Sequence, residues 1–179
     1  MIIKNFEDFS SDGVVKLICD GREYSCHKLL LISQSPVFRA MFAQDCTENS
    51  GSSVSIQDCS PEAVQEFLFF LYHAKHSLAQ FTSGHLEFVF NLVHLASKYQ
   101  VELLMASCKD VLLDIMNMDS VLKIKVLADK FPELKPITFM IVTFMKKNIT
   151  EVVKKEDWVE FCVNNVSLLS EFISNNMTD

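Results

Sequence analysis

The residues best suited to chemistry in this sequence are Cys26-His27, a thiol beside an imidazole, with Cys19 a few positions upstream. A thiol next to a base could be a nucleophile, and two cysteines with a histidine could begin a metal site. The spacing argues against both. Zinc sites favour close ligand pairs, whereas Cys19, Cys26, Cys46, Cys59, Cys108 and Cys162 are scattered without a CxxC pair, and His73, His76, His85 and His94 are equally dispersed. Glu156-Asp157, or Asp110 with Asp114, supply carboxylates for acid–base work, but no Gly-rich loop or nucleophile motif accompanies them, and solvated helix faces account for them. The expectation is a chain with no catalytic residues, no metal and no cofactor.

Composition narrows the partners. With 179 residues and 49% hydrophobic content, the chain can bury one sizeable core and a helical appendage. A formal charge of -7 leaves no broad cationic surface for phosphates, so neither nucleic acid nor an anionic membrane is an expected partner. No apolar run approaches the length of a membrane span, and residues 1–12 carry Glu7, Asp8 and Asp12 where an export signal would be basic and then apolar. A soluble chain with reduced, mostly buried thiols is expected, in the nucleus or the cytoplasm. The 15 Phe and 8 Met exceed what one small core needs, which places some of them at interfaces.

The elements that must position these residues change character along the chain. Val15, Leu17 and Cys19 alternate with Lys16 in a strand over 14–19 that ends at Asp20-Gly21, the dipeptide of a two-residue hairpin, and Arg22 to Cys26 form the second arm. Lys28 to Ile32 read as a short helix. Ser35-Pro36 and Ser60-Pro61 each place a capping hydroxyl before a proline at the first helical position. The first opens a helix with Val37, Phe38, Met41 and Phe42 on one face, the second a helix with a Val64, Phe67, Leu68, Leu71 core stripe. Asn49 to Ser53 read as a loop, Val54-Ser55-Ile56 as a short strand, and Ser77 to Phe81 as a candidate edge strand. Six helices follow, over 85–99, 101–116, 120–130, 136–147, 151–163 and 168–174, with caps or breakers at Ser83-Gly84, Asp119, Pro132, Pro136 and Thr150. Strands confined to the first half and helices filling the second predict an α+β domain with a helical tail.

The stretch Tyr24-Ser25-Cys26-His27-Lys28-Leu29-Leu30-Leu31, followed by Ser35-Pro36-Val37-Phe38-Arg39-Ala40-Met41-Phe42, resembles the signature of BTB/POZ domains. The likeness continues through Val54 to Ile56, Pro61 to Tyr72 and Ala96 to Leu104, and covers roughly residues 12–115. Within that family the chain is most similar to the speckle-type POZ adaptors, without their MATH domain. Residues 117–174 resemble the partial BACK segment that follows BTB there. The resemblance implies a BTB/POZ domain over 1–116, a BACK-like extension over 117–179, and a structural role for His27 at a strand-to-helix junction.

The same resemblance implies a self-associating adaptor that binds cullin-3 and brings protein substrates to a ubiquitin ligase. Cullin-contact residues carried over are Gln44, Asp45, Cys46 and Glu48 in the loop after the Met-Phe helix, with Asn117 and Met118 at the start of the extension. Cys46-Thr47-Glu48 stands at the family's hydrophobic-x-Glu motif, with a smaller apolar anchor than is usual. The self-association surface is expected at Ile3, Phe6 and Leu30, pairing two copies of this chain or this chain with another BTB protein. The alternative left open is a BTB dimerisation module that binds no cullin and serves as a scaffold, a transcriptional cofactor or a competitor of longer adaptors.

Overall fold

The computed structural model describes residues 13–43, 53–73 and 81–166. Contacts divide the chain into two compact units: the described parts of Met1–Gln80 with Glu87–Cys108, and those of Phe81–Leu86 with Lys109–Asp179.

The first unit is built on a hairpin. Strands β1 (Val14–Cys19) and β2 (Arg22–His27) pair antiparallel, and the pair Cys19↔Arg22 closes on Asp20 (φ 48°) and Gly21 (φ 74°). Two consecutive left-handed residues give the primed turn whose twist matches that of the strands. Val15, Leu17 and Cys19 face the core. A third strand, β3 (Ser53–Ser55), joins β1 in parallel register at Leu17↔Val54, so the described strands run in the order β2-β1-β3. β1 is central, and its burial follows from that position.

Helices cover this sheet. α1 (Lys28–Gln34) follows β2 without a break, and α2 (Pro36–Ala43) starts one residue after α1 ends. Ser35 caps α2 as its sequence suggests: its Oγ accepts the Phe38 amide at 3.1 Å. The same hydroxyl is fully buried and donates to the Tyr99 carbonyl at 2.5 Å, 64 residues away. Phe38 stacks on Tyr99 with centroids 4.3 Å apart, and Phe67 of α3 (Pro61–His73) meets the same ring at 5.8 Å. Ser60 Oγ caps α3 by accepting the Ala63 amide at 3.2 Å. Val64, Phe67, Leu68 and Leu71 are all buried, as their spacing predicts. Met41 departs from expectation: Phe38 and Phe42, one full turn apart, occupy the core line of α2, and Met41 at its edge is exposed.

α4 (Leu86–Lys98) and α5 (Glu102–Asp114) meet at Gln100, whose φ is 51°. Val101 N donates to Ala96 O at 2.8 Å and Gln100 N to Ser97 O at 3.1 Å. This paired closure of a helix end is usually made with glycine at the left-handed position.

In the second unit, α6 (Val121–Lys130) and α7 (Lys135–Lys147) form an antiparallel pair through a one-turn 3-10 segment at Pro132–Leu134. Pro136 is no breaker, because within the first turn of α7 its missing amide hydrogen would have no partner anyway. The helix expected over 151–163 is two helices, α8 (Ile149–Val152) and α9 (Trp158–Asn164), separated by a turn. Thr150 therefore lies inside a helix. Val152 and Phe161 are both buried, and nine residues of continuous helix would face them to opposite sides; the intervening turn lets both point inward. The candidate strand over 77–81 and the helix over 168–174 fall outside the described residues, apart from Phe81, which is not in a strand.

The architecture, a small sheet flanked by helices and followed by more helices, is the expected α+β class.

Candidate functional site

Cys26 and His27 are neighbours on β2, so their side chains leave opposite faces of the strand. Cys26 is buried, its Sγ 3.6 Å from the Val15 carbonyl, and burial pushes its thiol up to about 12. A thiol that remains protonated at neutral pH is a weak nucleophile. His27 Nδ1 instead lies 2.7 Å from the Tyr72 hydroxyl, which also accepts the His27 amide at 3.0 Å. The imidazole thus ties the end of β2 to α3.

Among the described residues, the remaining candidates for chemistry do not converge. His73 Nδ1 sits 2.9 Å from the Phe69 carbonyl of its own helix, and His85 Nδ1 receives the Thr82 amide at 3.2 Å in a local cap. Asp110, Asp114, Glu156 and Asp157 are exposed. Among the described residues there is no group of three or more side chains able to hold a metal, and no helix is long and apolar enough to cross a membrane. Cys19, Cys26 and Cys108 are buried free thiols, while Cys59 and Cys162 are half-buried.

The structure offers surfaces for binding. α1 is fixed at both ends. Lys28 N donates to Gly13 O at 2.7 Å, and Gln34 Nε2 donates to the Leu71 carbonyl of α3 at 2.6 Å. Leu31 is fully buried, which rotates Leu29 outward to 79% exposure and leaves Leu30 half-buried between them. Of the expected self-association residues, Leu30 therefore lies at the rim of an exposed apolar helix face. Leu29, the most exposed side chain of that face, was missed by sequence reasoning. Its signal was present in the helical phase: once Leu31 is placed in the core, a residue two positions earlier cannot be. Ile3 and Phe6 lie outside the described residues.

A second surface forms where α6 begins. Asn117 Oδ1 accepts the amides of Asp119 at 2.9 Å and Ser120 at 3.1 Å, while Asn117 N donates to Ser120 Oγ at 2.9 Å. Ser120 Oγ in turn donates to the Ile115 carbonyl at 3.0 Å. This reciprocal arrangement caps the helix and fixes the turn carrying Met118. Met118 is half-buried on an open cleft of about 520 Å³, lined also by Leu122, Lys123 and the 154–157 turn. Asp119 pairs with Lys155 across the cleft, and that ammonium holds its carboxyl below the usual carboxylate range. Asn117 and Met118 are thus adjacent on one turn, with the Asn side chain bonded to its own backbone. Gln44, Asp45, Cys46 and Glu48 lie outside the described residues.

A sheet-and-helix body thus carries a half-buried histidine tied to a tyrosine and an exposed leucine on a helix held at both ends, the arrangement of a protein-interaction module of the BTB/POZ class. The BTB/POZ domain family matches residues 7–116, more than half of the chain. The chain belongs to the BTB/POZ domain family. Among curated relatives it is similar to TD and POZ domain-containing protein 4 of Mus musculus, 27% identical over 161 residues, which cover 87% of this chain and 40% of that protein. It is also similar to TD and POZ domain-containing protein 5 of Mus musculus, 31% identical over 119 residues, or 63% of this chain and 32% of that protein. The chain thus spans well under half the length of these relatives. Among solved structures, the BTB domain of zebrafish PATZ1 overlaps 55% of this chain and 74% of its own at 21% identity, with a TM-score of 0.46.

Proposed function

We propose that this chain is a recruiting adaptor, with a BTB/POZ domain over 1–116 and a BACK-like extension over 117–179, in the nucleus or the cytoplasm. It self-associates through Leu30 together with Ile3 and Phe6, and binds cullin-3 through Gln44, Asp45, Cys46, Glu48, Asn117 and Met118. Its action is geometric: substrates are brought to a ubiquitin ligase, and two-fold pairing doubles the ligase arms per assembly. The observation that carries the reading is the BTB/POZ match over 7–116, ending just before the turn that holds Asn117 and Met118. The exposed Leu29 beside Leu30 supports the pairing, since an apolar side chain at 79% exposure on a fixed helix gains by burial against a partner.

A second reading is favoured by Cys46, whose small side chain buries less apolar area than a larger anchor would. On that reading the chain pairs with itself or with other BTB proteins without engaging a cullin.

Calorimetry with the amino-terminal domain of cullin-3 separates the two. Binding that Glu48→Ala and Cys46→Asp both abolish, with light scattering still showing a dimer, is the outcome expected of the adaptor. A folded dimer that gives no heat with the cullin domain selects the second reading.

A further inference from the structure

Among the described residues of the second unit, two apolar helix faces are exposed, and the charges that border them are opposite in sign. On α7, Ile137, Ile141 and Met145 turn inward, while Phe139 and Met140 face solvent at 79% and 51% exposure. That helix holds lysines at both ends and no carboxylate. Lys135 and Lys147 are exposed and flank the Phe139 surface. On α9, Phe161 is buried while Val159 and Val163 project outward at i and i+4, each at least 70% exposed. Here the flanking charge is acidic. Glu156, Asp157 and Glu160 are exposed, and residues 156–166 contain no lysine or arginine. The lysines just upstream are engaged elsewhere, Lys154 with Glu151 at 2.8 Å and Lys155 with Asp119.

A phenylalanine and two valines standing in water are unfavourable unless something covers them, and one helix lacking carboxylates and another lacking cations give the two faces complementary potentials. Both α7 and α9 pack against α6, and neither exposed face covers the other within one copy. We propose that the α7 face of one copy receives the α9 ridge of a second copy. Phe139 and Met140 meet Val159 and Val163, and Lys135 and Lys147 lie on the side of Glu156 and Glu160. The contact joins unlike faces of the extension, so it is distinct from a pairing through Leu29 and Leu30.

Charge exchange tests it on the full chain by sedimentation velocity over a concentration series. Lys135→Glu with Lys147→Glu gives one variant, and Glu156→Lys with Glu160→Lys the other. Each alone places like charges across the contact and should weaken this association at least about tenfold, whereas an equimolar mixture regains it because each face meets its opposite. Phe139→Asp should remove the association, and added sodium chloride should weaken it in the wild type. Leu29→Asp, placed in both variants, leaves the rescue by mixing intact, which separates this contact from failure of the BTB pairing. All variants sit on exposed positions, and circular dichroism checks that each is folded. Wild-type association in either charge variant, or a mixture no better than its components, overturns the proposal and leaves the two faces to a different partner.

Discussion

Many side-chain hydrogen bonds in the first unit reach across the chain, whereas those of the second mostly stay within one helical turn. Tyr24 donates to Pro61 O, Gln34 to Leu71 O and Ser35 to Tyr99 O, and His27 joins Tyr72. In the second unit Thr143 donates to Phe139 O, Asn148 to Phe144 O, Asn165 to Phe161 O and Lys125 to Asp129, each four residues away; the Lys155–Asp119 pair is an exception. Long-range bonds to buried partners specify how elements pack, because a wrong packing leaves them unsatisfied. Bonds within a turn support a helix whatever it packs against. Among the described residues, exposed large apolar side chains are more numerous in the second unit, which has Val126, Phe139, Met140, Val153, Val159, Val163 and Val166, than in the first, which has Leu29, Met41 and Leu103. The first region is specified largely from within, with the α1 face at Leu29 as an outward exception, and the second keeps more of its apolar surface for contacts outside itself.

Two phenylalanines sharpen that contrast most. Phe38 is fully buried against Tyr99 and Phe42, so Phe38→Ala should cost about 3–5 kcal/mol in urea unfolding. Phe139→Ala, at an exposed site, should change stability by no more than about 0.5 kcal/mol. Equal losses would erase the distinction between the regions. Ser35→Ala comes next. Removing one hydroxyl deprives both the Phe38 amide and the Tyr99 carbonyl of a partner in a buried corner, at about 1–3 kcal/mol, read by the same unfolding curves. Asn117→Ala removes a cap at the start of α6 and should cost about 1 kcal/mol, with faster amide exchange concentrated at Asp119 and Ser120.

The smallest effect is one of pH. Lys155 lowers the Asp119 carboxyl below its ordinary range, so the pair's contribution is present above that range and is lost as pH falls through the depressed value. Asp119→Asn should lower the Tm slightly at neutral pH, and the difference should vanish in acid. A difference that persists in acid would assign the stabilisation to something other than charge.

What could be read in the sequence was what local chemistry decides. Asp20-Gly21, Ser35-Pro36 and Ser60-Pro61 each determine their own backbone, and the structure places a turn or a helix start at every one. The core stripe of α3 was legible because its spacing alone selects a face. The break between α8 and α9 was not, since it depends on burying Val152 and Phe161 together. The closure at Gln100 carries no glycine to announce how it is made. Among the candidate interaction residues, Leu30, Asn117 and Met118 lie where they can be described, and the exposure of Leu29 became visible only once Leu31 was placed in the core. The opposed charges of α7 and α9 were written in the sequence, but it took the structure to show which apolar neighbours they border.

The bond from Ser35 to Tyr99 also sets an order of events as the chain is made. Ser35 can cap α2 as soon as Phe38 follows it, but the acceptor for its own proton is 64 residues further on. At roughly 5–20 residues per second of synthesis, several seconds pass before Tyr99 exists to receive that proton and stack on Phe38. Through that interval the nascent hairpin and its first helices have no lid on the Phe38 ring, and the length of chain emerging from the ribosome acts as the timer for closing the core.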